Sequence, residues 1–332
     1  MTSAGVYVNA GAPSGVAAGP RGPRVGCVND LATAVRAAYS AALVVPAPDR
    51  ACLVVRGADR VTWLNGLVTC DLTKLEAGRA TYGLSVRKKG RIFVDLVIVA
   101  DRDAILALVP APRAEEVRAE LEHYLVMEDA ELALEPRAAT FVHGPRALEV
   151  ARCATGATVA ELDTTGLGGA VVIAPAGADA AVAEALARAA EKAGGVVGEE
   201  AAWESLRLER GVPRYGADFD ETTYPQEASL EKRAVSFQKG CYLGQEVVCM
   251  LELRGHVKRK LVPVRLGGDV APGTPLLDAD GTEVGALTSS APSPSLGVPL
   301  GFAMVKRALA VPGTVLRAGA VEARVMEGPE AR

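Results

Sequence analysis

The composition of the chain changes at Arg254-Gly255, and this break constrains the fold more than any other feature. From Lys260 onward, short apolar runs are separated by Gly, Pro and Asp-Gly turns. Leu261 to Leu266, Thr282 to Ser289, Val298 to Val305 and a last hairpin from Thr314 to Met326 predict an all-β domain, a small barrel. Upstream, strand and helix patterns alternate. Ala51 to Arg56, Ala80 to Val86, Arg91 to Ala100 and Ala104 to Val109 read as strands. Helices are expected over Asp30 to Ala42, after Gly57-Ala58-Asp59, and from Pro112 to near Tyr124. After Pro136 a similar set follows: strand Thr140 to His143, helix Pro145 to Arg152, strand Ala170 to Ala174, and a helix from Asp179 stopped by Gly194-Gly195. A further helix, Glu199 to Arg210, spaces Trp203, Leu206 and Arg210 along one face. Two β-α-β sets in tandem predict a duplicated α+β unit, although no sequence repeat is visible. The expected division is a flexible tail over 1–27, a first α+β lobe over 28–136, a second over 137–255 and the barrel over 256–330.

Length and composition exclude several classes of function. A chain of 332 residues with 49% hydrophobic and 23% charged residues can bury a sizeable core. A net charge of -4 implies no domain-wide basic face, so a nucleic-acid partner is not expected. No apolar run reaches the length of a membrane span, and the first 27 residues lack the basic start and continuous apolar stretch of a secretory signal. Cys27, Cys52, Cys70, Cys153, Cys241 and Cys249 are scattered without a CxxC pair, which fits neither a disulfide framework nor a zinc site and suggests a reducing, cytoplasmic setting. Only His123, His143 and His256 are available for acid–base schemes.

The densest cluster of chemically special residues is Lys239-Gly240-Cys241-Tyr242-Leu243-Gly244-Gln245-Glu246, preceded by Phe237-Gln238. Its glycines permit sharp turns or close approach to a ligand. The run Gln245 to Leu253 reads as a helix, which sets Cys241 just before a helix N-terminus and beside Lys239. Both neighbours favour a thiolate. The same residues also read as two turns flanking a small buried side chain. His256 could activate Cys241 as a base activates a nucleophilic thiol, although nothing in the spacing brings the two together.

The segment Phe237 to Glu246 resembles the signature of the YgfZ family, folate-binding relatives of the glycine-cleavage T-protein (aminomethyltransferase) that include mitochondrial iron–sulfur assembly factors. The resemblance extends to Gly57 through Asp71, with Asn65-Gly66 as its ligand-facing part. It covers Tyr82 and the hairpin Lys89 to Ile98, and Leu206-Arg207-Leu208-Glu209-Arg210-Gly211. It implies two ferredoxin-like α+β units that form a folate-binding core, closed into a three-domain ring by a C-terminal β-barrel. It further implies that tetrahydrofolate or a derivative is the cofactor, with Glu209 on the pterin edge and Tyr82 near the ring. Asn65, Asp95, Arg233, Lys239 and Tyr242 would be binding residues, Arg233 and Arg254 possible partners of the glutamyl tail, and Cys241 the reactive group at the mouth of the pocket. Where the T-protein has two adjacent acids, this chain has Val94-Asp95, and a valine can neither accept a hydrogen bond nor stabilise a developing cation. The resemblance therefore implies a folate-binding factor that helps assemble or repair iron–sulfur clusters in client enzymes, with those enzymes or assembly proteins as partners. The alternative is an aminomethyltransferase or methyltransferase.

Overall fold

A computed structural model describes residues 30–253, 255 and 257–328. The N-terminal tail, Arg254 and His256 lie outside the described residues. The first sheet is built from β2 (Arg50–Arg56), β3 (Ala80–Val86), β4 (Ile92–Ala100), β5 (Ile105–Pro110) and β6 (Glu131–Glu135), in the order β3-β4-β5-β2-β6. The second is built from β1 (Leu43–Pro46), β7 (Ala138–His143), β8 (Thr158–Glu161), β9 (Gly169–Ala174) and β10 (Val196–Val197), in the order β10-β1-β7-β9-β8. Numbering the strands within each lobe, both sheets follow the 4-1-3-2 order of the split β-α-β plan. Each carries one additional strand. In the first lobe β3 is added at the edge; in the second, β1 is inserted beside the first strand of the unit, antiparallel to β7 and parallel to β10. The duplicated ferredoxin-like core expected from the sequence is therefore present.

One boundary falls elsewhere. Helix α1 (Leu31–Ser40), capped by Asp30, and strand β1 lie in the stretch expected to open the first lobe, yet β1 pairs into the second sheet. The apolar run Leu43-Val44-Val45 is fully buried, as a strand covered on both faces must be.

The layers follow from which face each strand buries. On the outside of the first sheet, α2 (Arg60–Asn65) and α3 (Ala114–Glu122) pack a core containing Trp63, Leu64, Val94, Leu96, Val117 and Leu121. On the outside of the second, α4 (Ala147–Ala151) and α5 (Asp179–Lys192) cover Val142, Val172 and Leu186. The inner faces meet each other through Val54, Val97, Leu106, Leu108, Val171 and Ile173. Helix α6 (Glu200–Glu209) then packs against α1 on one side and, through Leu208, against Leu261, Leu300 and Phe302 on the other. Short helix α7 (Glu231–Ala234) and helix α8 (Gln245–Leu253) lead to the barrel. The barrel is closed from β11 (Arg259–Leu266), β12 (Pro275–Leu277), β13 (Glu283–Ser293), β14 (Val298–Lys306), β15 (Val315–Ala318) and β16 (Val321–Val325), in the order β11-β14-β13-β12-β15-β16. Closure removes the sheet edges that such short strands would otherwise expose.

A polar joint fixes the barrel to the lobes. Arg207, 1% exposed, donates to Glu204, to Asp218 (2.8 Å) and to the hydroxyl of Ser289 on β13 (2.8 Å). With each donor matched to an acceptor, a buried cation here is tolerated, whereas an unpaired one would cost several kcal/mol (on the order of 3–5).

Candidate functional site

At one end of the layer between the two sheets the apolar packing stops and leaves a cavity of about 820 Å³. This lies within the range of small-molecule sites, roughly 300–1,000 Å³. The first sheet contributes Arg50, Tyr82 and Asp95, the second contributes Phe141 and His143, α6 contributes Trp203, and Arg210, Lys232 and Arg233 complete the wall.

The polar end of the cavity is a clamp. The Arg50 guanidinium donates one hydrogen bond to each Asp95 carboxylate oxygen, at 2.9 and 3.0 Å, and the Tyr82 hydroxyl donates to Oδ2 at 3.2 Å. The strand registers create it, because Leu84 of β3 faces Asp95 of β4 and β2 runs beside β5, one strand away. Burial opposes the Arg50 charge, but the Asp95 carboxylate outweighs it and holds the guanidinium above its ordinary value. Burial, with the Asp95 charge adding to it, pushes the Tyr82 phenol well up, so it stays a neutral donor.

Aromatic rings form a second wall. His143 stacks on Trp203 with centroids 4.6 Å apart and planes 7° apart, and on Phe141 at 6.2 Å and 10°. The imidazole is 3% exposed, its Nδ1 has no hydrogen-bond partner, and burial pushes its pKa down to about 4, with Asp163 weakly opposing. It is therefore uncharged at neutral pH. The third wall carries three cations, Arg210, Lys232 and Arg233, with the Asp163 carboxylate also lining the cavity. Arg233 donates to the Thr164 carbonyl at 3.1 Å and Arg210 donates through Nε to the Thr165 carbonyl at 2.6 Å. Among the described residues no carboxylate pairs with Arg210, Lys232 or Arg233, and burial lowers the Arg233 pKa.

Of the residues expected at the site, Tyr82, Asp95 and Arg233 come together here. The others do not. Lys239 sits elsewhere and acts as a strut: its ammonium donates to the carbonyls of Asn65 (2.6 Å), Val68 (2.8 Å) and Cys70 (2.7 Å), and burial lowers its pKa to about 8. Its charge is thus committed to backbone carbonyls, which corrects the expectation that it activates Cys241 or holds a ligand. The Asn65 side chain accepts from the Leu72 amide at 2.9 Å and braces the same loop. Tyr242 is buried among Leu84, Val86, Phe219 and Val248, where burial raises its pKa. Gly244 has φ +77°, and a Cβ there would lie 2.4 Å from the Arg87 carbonyl, so glycine is required by packing. Cys241 is exposed but is not part of the cavity wall, so it does not stand at the pocket mouth as expected.

Two further expectations change. Glu209 points from α6 to the barrel, where its carboxylate accepts from the hydroxyls of Tyr39 (2.8 Å), Ser293 (2.6 Å) and Ser295 (2.8 Å) and from the Ser295 amide (3.0 Å). With those acceptor positions filled, it latches domains together and does not line the cavity. Val94 belongs to the outer core of the first lobe, opposite the cavity. Alternation along β4 turns Asp95 inward, so the acid that can face a ligand is the one this chain retains. Sequence reading missed Arg50, His143 and Lys232. For Trp203 and Arg210 the signal was present, because their seven-residue spacing puts both on one face of α6. Among the described residues no cluster of His, Cys, Asp or Glu could hold a metal ion, and no helix is long and apolar enough to cross a membrane.

Comparison with known proteins matches residues 35–167 to the GCVT N-terminal domain and residues 259–329 to the glycine cleavage T-protein C-terminal barrel domain. The mitochondrial aminomethyltransferase of Gallus gallus is 30% identical over 310 residues, covering 83% of this chain and 76% of that one. The tRNA-modifying protein YgfZ of Vibrio vulnificus is 28% identical over 232 residues, covering 67% and 69%. The crystal structure of glycine cleavage system aminomethyltransferase T from Bartonella henselae superposes with a TM-score of 0.79 at 22% identity, covering 90% of this chain and 89% of that one, which supports the fold. A two-part domain match and a relative 30% identical over more than three quarters of both chains place the chain in the glycine cleavage T-protein family.

Proposed function

We propose that the cavity between the two sheets binds tetrahydrofolate or a derivative, and that the protein assists the assembly or repair of iron–sulfur clusters in client enzymes. The observation that carries the ligand class is the combination of walls. A flat heterocycle needs aromatic surface, supplied by Trp203 backed by His143. A glutamyl tail needs cations not already held in ion pairs, and among the described residues Arg210, Lys232 and Arg233 are such cations, with Asp163 acting on Arg233 from the same wall. The buried Nδ1 of His143, still without a partner, marks a polar atom that the protein alone does not satisfy. A reduced folate, when bound, supplies ring nitrogens able to carry one-carbon units.

The maintenance role is supported by the separation of the exposed Cys241 from the cavity, which leaves the thiol open to a macromolecular partner. The Asp95 carboxylate, clamped by Arg50 and Tyr82, points to ligand holding. The same Asp95, facing inward, favours a second reading, aminomethyl transfer to tetrahydrofolate. Calorimetry with tetrahydrofolate tests the shared step, and no binding at millimolar ligand would remove both readings. Release of ammonia and methylenetetrahydrofolate from an aminomethylated lipoyl carrier would select the transferase.

A further inference from the structure

The ladder joining β3 to β4 slips close to its turn. Ser85 pairs with Val94 but Val86 pairs with Ile92, so Phe93 is an extra residue on β4, a β-bulge. Ile92 packs on the inner side with Leu84 and Val86, whereas Phe93 and Val94 both lie in the outer core. Asp95 then turns inward to Arg50 and Tyr82. Regular alternation from Ile92 would instead turn Val94 inward and Asp95 outward. A bulge displaced by two residues, onto Asp95, would do the same and leave Val97 onward unchanged. The place of the bulge therefore selects between an acid and a valine.

Phe93 is held there by residues that do not line the cavity. A bulged residue drops out of the ladder, and its buried carbonyl needs another donor. The Phe93 carbonyl accepts from Arg113 Nη1 at 2.8 Å and from the Tyr215 hydroxyl at 3.0 Å. The Arg113 guanidinium also stands 4.9 Å from the centroid of the Phe93 ring, and that of Arg87 stands 4.0 Å from it. Glu116 of α3 and Glu221 orient Arg113 in turn. The turn itself is pinned, with Gly90 at φ +74° pressed against Val247. We propose that Arg113 and Tyr215 are positioning residues for Asp95. By fixing the bulge at Phe93, they make the carboxylate the side chain offered to the ligand. This rests on the folate reading for the identity of that ligand, and on the strand register for the rest.

Val94→Cys turns the choice into a chemical signal, because a thiol at 94 is in the outer core in one register and in the cavity in the other. Labelling with iodoacetamide, mapped by mass spectrometry, reads it, and the buried Cys52 on β2 reports unfolding in the same sample. Adding Arg113→Met and Tyr215→Phe should speed labelling at position 94 about tenfold or more while Cys52 stays unlabelled. In the chain with valine at 94, the same pair of substitutions should weaken calorimetric binding of 5-formyltetrahydrofolate by about tenfold. Tyr215→Phe alone keeps the ring beside Phe219 and removes only the hydroxyl, so it reports even where the double variant does not fold. It should speed labelling at 94 about threefold with Cys52 silent. Labelling at 94 that stays at the parent rate in the folded variants overturns the proposal, whatever happens to affinity. A parent protein that binds no folate by calorimetry removes the folate reading, and labelling at 94 still decides what holds the register.

Discussion

The strap of residues 237–246 and the cavity between the sheets both bury charge, and they do so in opposite ways. In the strap, Lys239 gives its ammonium to three carbonyls of the 65–70 segment, and the Leu243 amide donates to the Gly66 carbonyl. Within it the one buried side-chain polar atom without a partner is the hydroxyl of Tyr242, and Cys241 is exposed. In the cavity, Arg50 and Asp95 neutralise each other, while among the described residues Arg210, Lys232 and Arg233 form no ion pair and the Nδ1 of His143 has no partner. The strap, although richest in special residues, is a fastening; the cavity, assembled from residues scattered over 50–233, is where a ligand fits. A dense motif marks where the chain is most constrained, and constraint has structural as well as chemical causes.

The comparison is broken most directly at the clamp. Asp95→Ala leaves the Arg50 charge, 14% exposed, without its partner, and should cost about 3–5 kcal/mol in urea unfolding. The double variant Arg50→Met with Asp95→Leu should recover most of that loss, because two apolar side chains need no partners. Folate affinity should not recover with it. A single variant that unfolds like wild type would show that water already reaches the pair.

Lys239→Met tests the strap in the same assay. Three carbonyls lose one shared cation, and the expected cost is about 3 kcal/mol. Here the outcome for binding is reversed: the folded variant should hold tetrahydrofolate within about threefold of wild type. A large loss of affinity with little loss of stability would return Lys239 to the binding residues and undo the distinction between the two regions.

The third effect depends on pH. The His143 pKa falls from an ordinary 6.5 to about 4 because burial disfavours the imidazolium. The unfolded chain therefore takes up a proton near pH 6.5 that the folded chain refuses until about pH 4. Stability from this site is fully present above pH 6.5 and is lost as the pH falls toward 4. The loss is about 2 kcal/mol at pH 5. His143→Phe should flatten the unfolding free energy over that window, and an unchanged slope would mean that the imidazole is not held neutral.

Much of the architecture was legible because it is written in local patterns. The break at Arg254-Gly255 announced the barrel, and the paired β-α-β sets announced the duplicated core. The insertion of β1 into the second sheet was not legible, since a four-residue apolar run carries no information about which sheet receives it. At the site, Tyr82, Asp95 and Arg233 were found through their resemblance to a family motif. Arg50 was missed because its role is set by strand register across the first sheet, which brings it to Asp95 from 45 residues away. Val94 misled for a related reason: adjacent residues on a strand face opposite sides, so an acid pair read in sequence is not a pair in space.

The smallest effect on stability, and the largest difference in consequence, is expected at Cys241. The side chain is exposed, and Gly240 beside it has nothing within 4 Å of where a Cβ would stand. Replacing sulfur by oxygen there removes no packing, so Cys241→Ser should change unfolding by less than about 0.5 kcal/mol. Alkylation under native conditions should separate the described thiols into two groups. Cys241 and Cys153, both exposed, should react quickly. Cys52 and Cys70, both buried and with thiol pKa values pushed up to about 12 by burial, should react only on unfolding. Reactivity alone does not set Cys241 apart from Cys153, and function must. If the exposed thiol meets sulfur or iron carried by a partner, Cys241→Ser should abolish support of iron–sulfur enzymes in cells while Cys153→Ser leaves it intact, with tetrahydrofolate binding unchanged in both. A Cys241→Ser protein that supports those enzymes as well as wild type would leave the strap as a fastening and nothing more, and the maintenance role would give way to the transferase reading centred on Asp95.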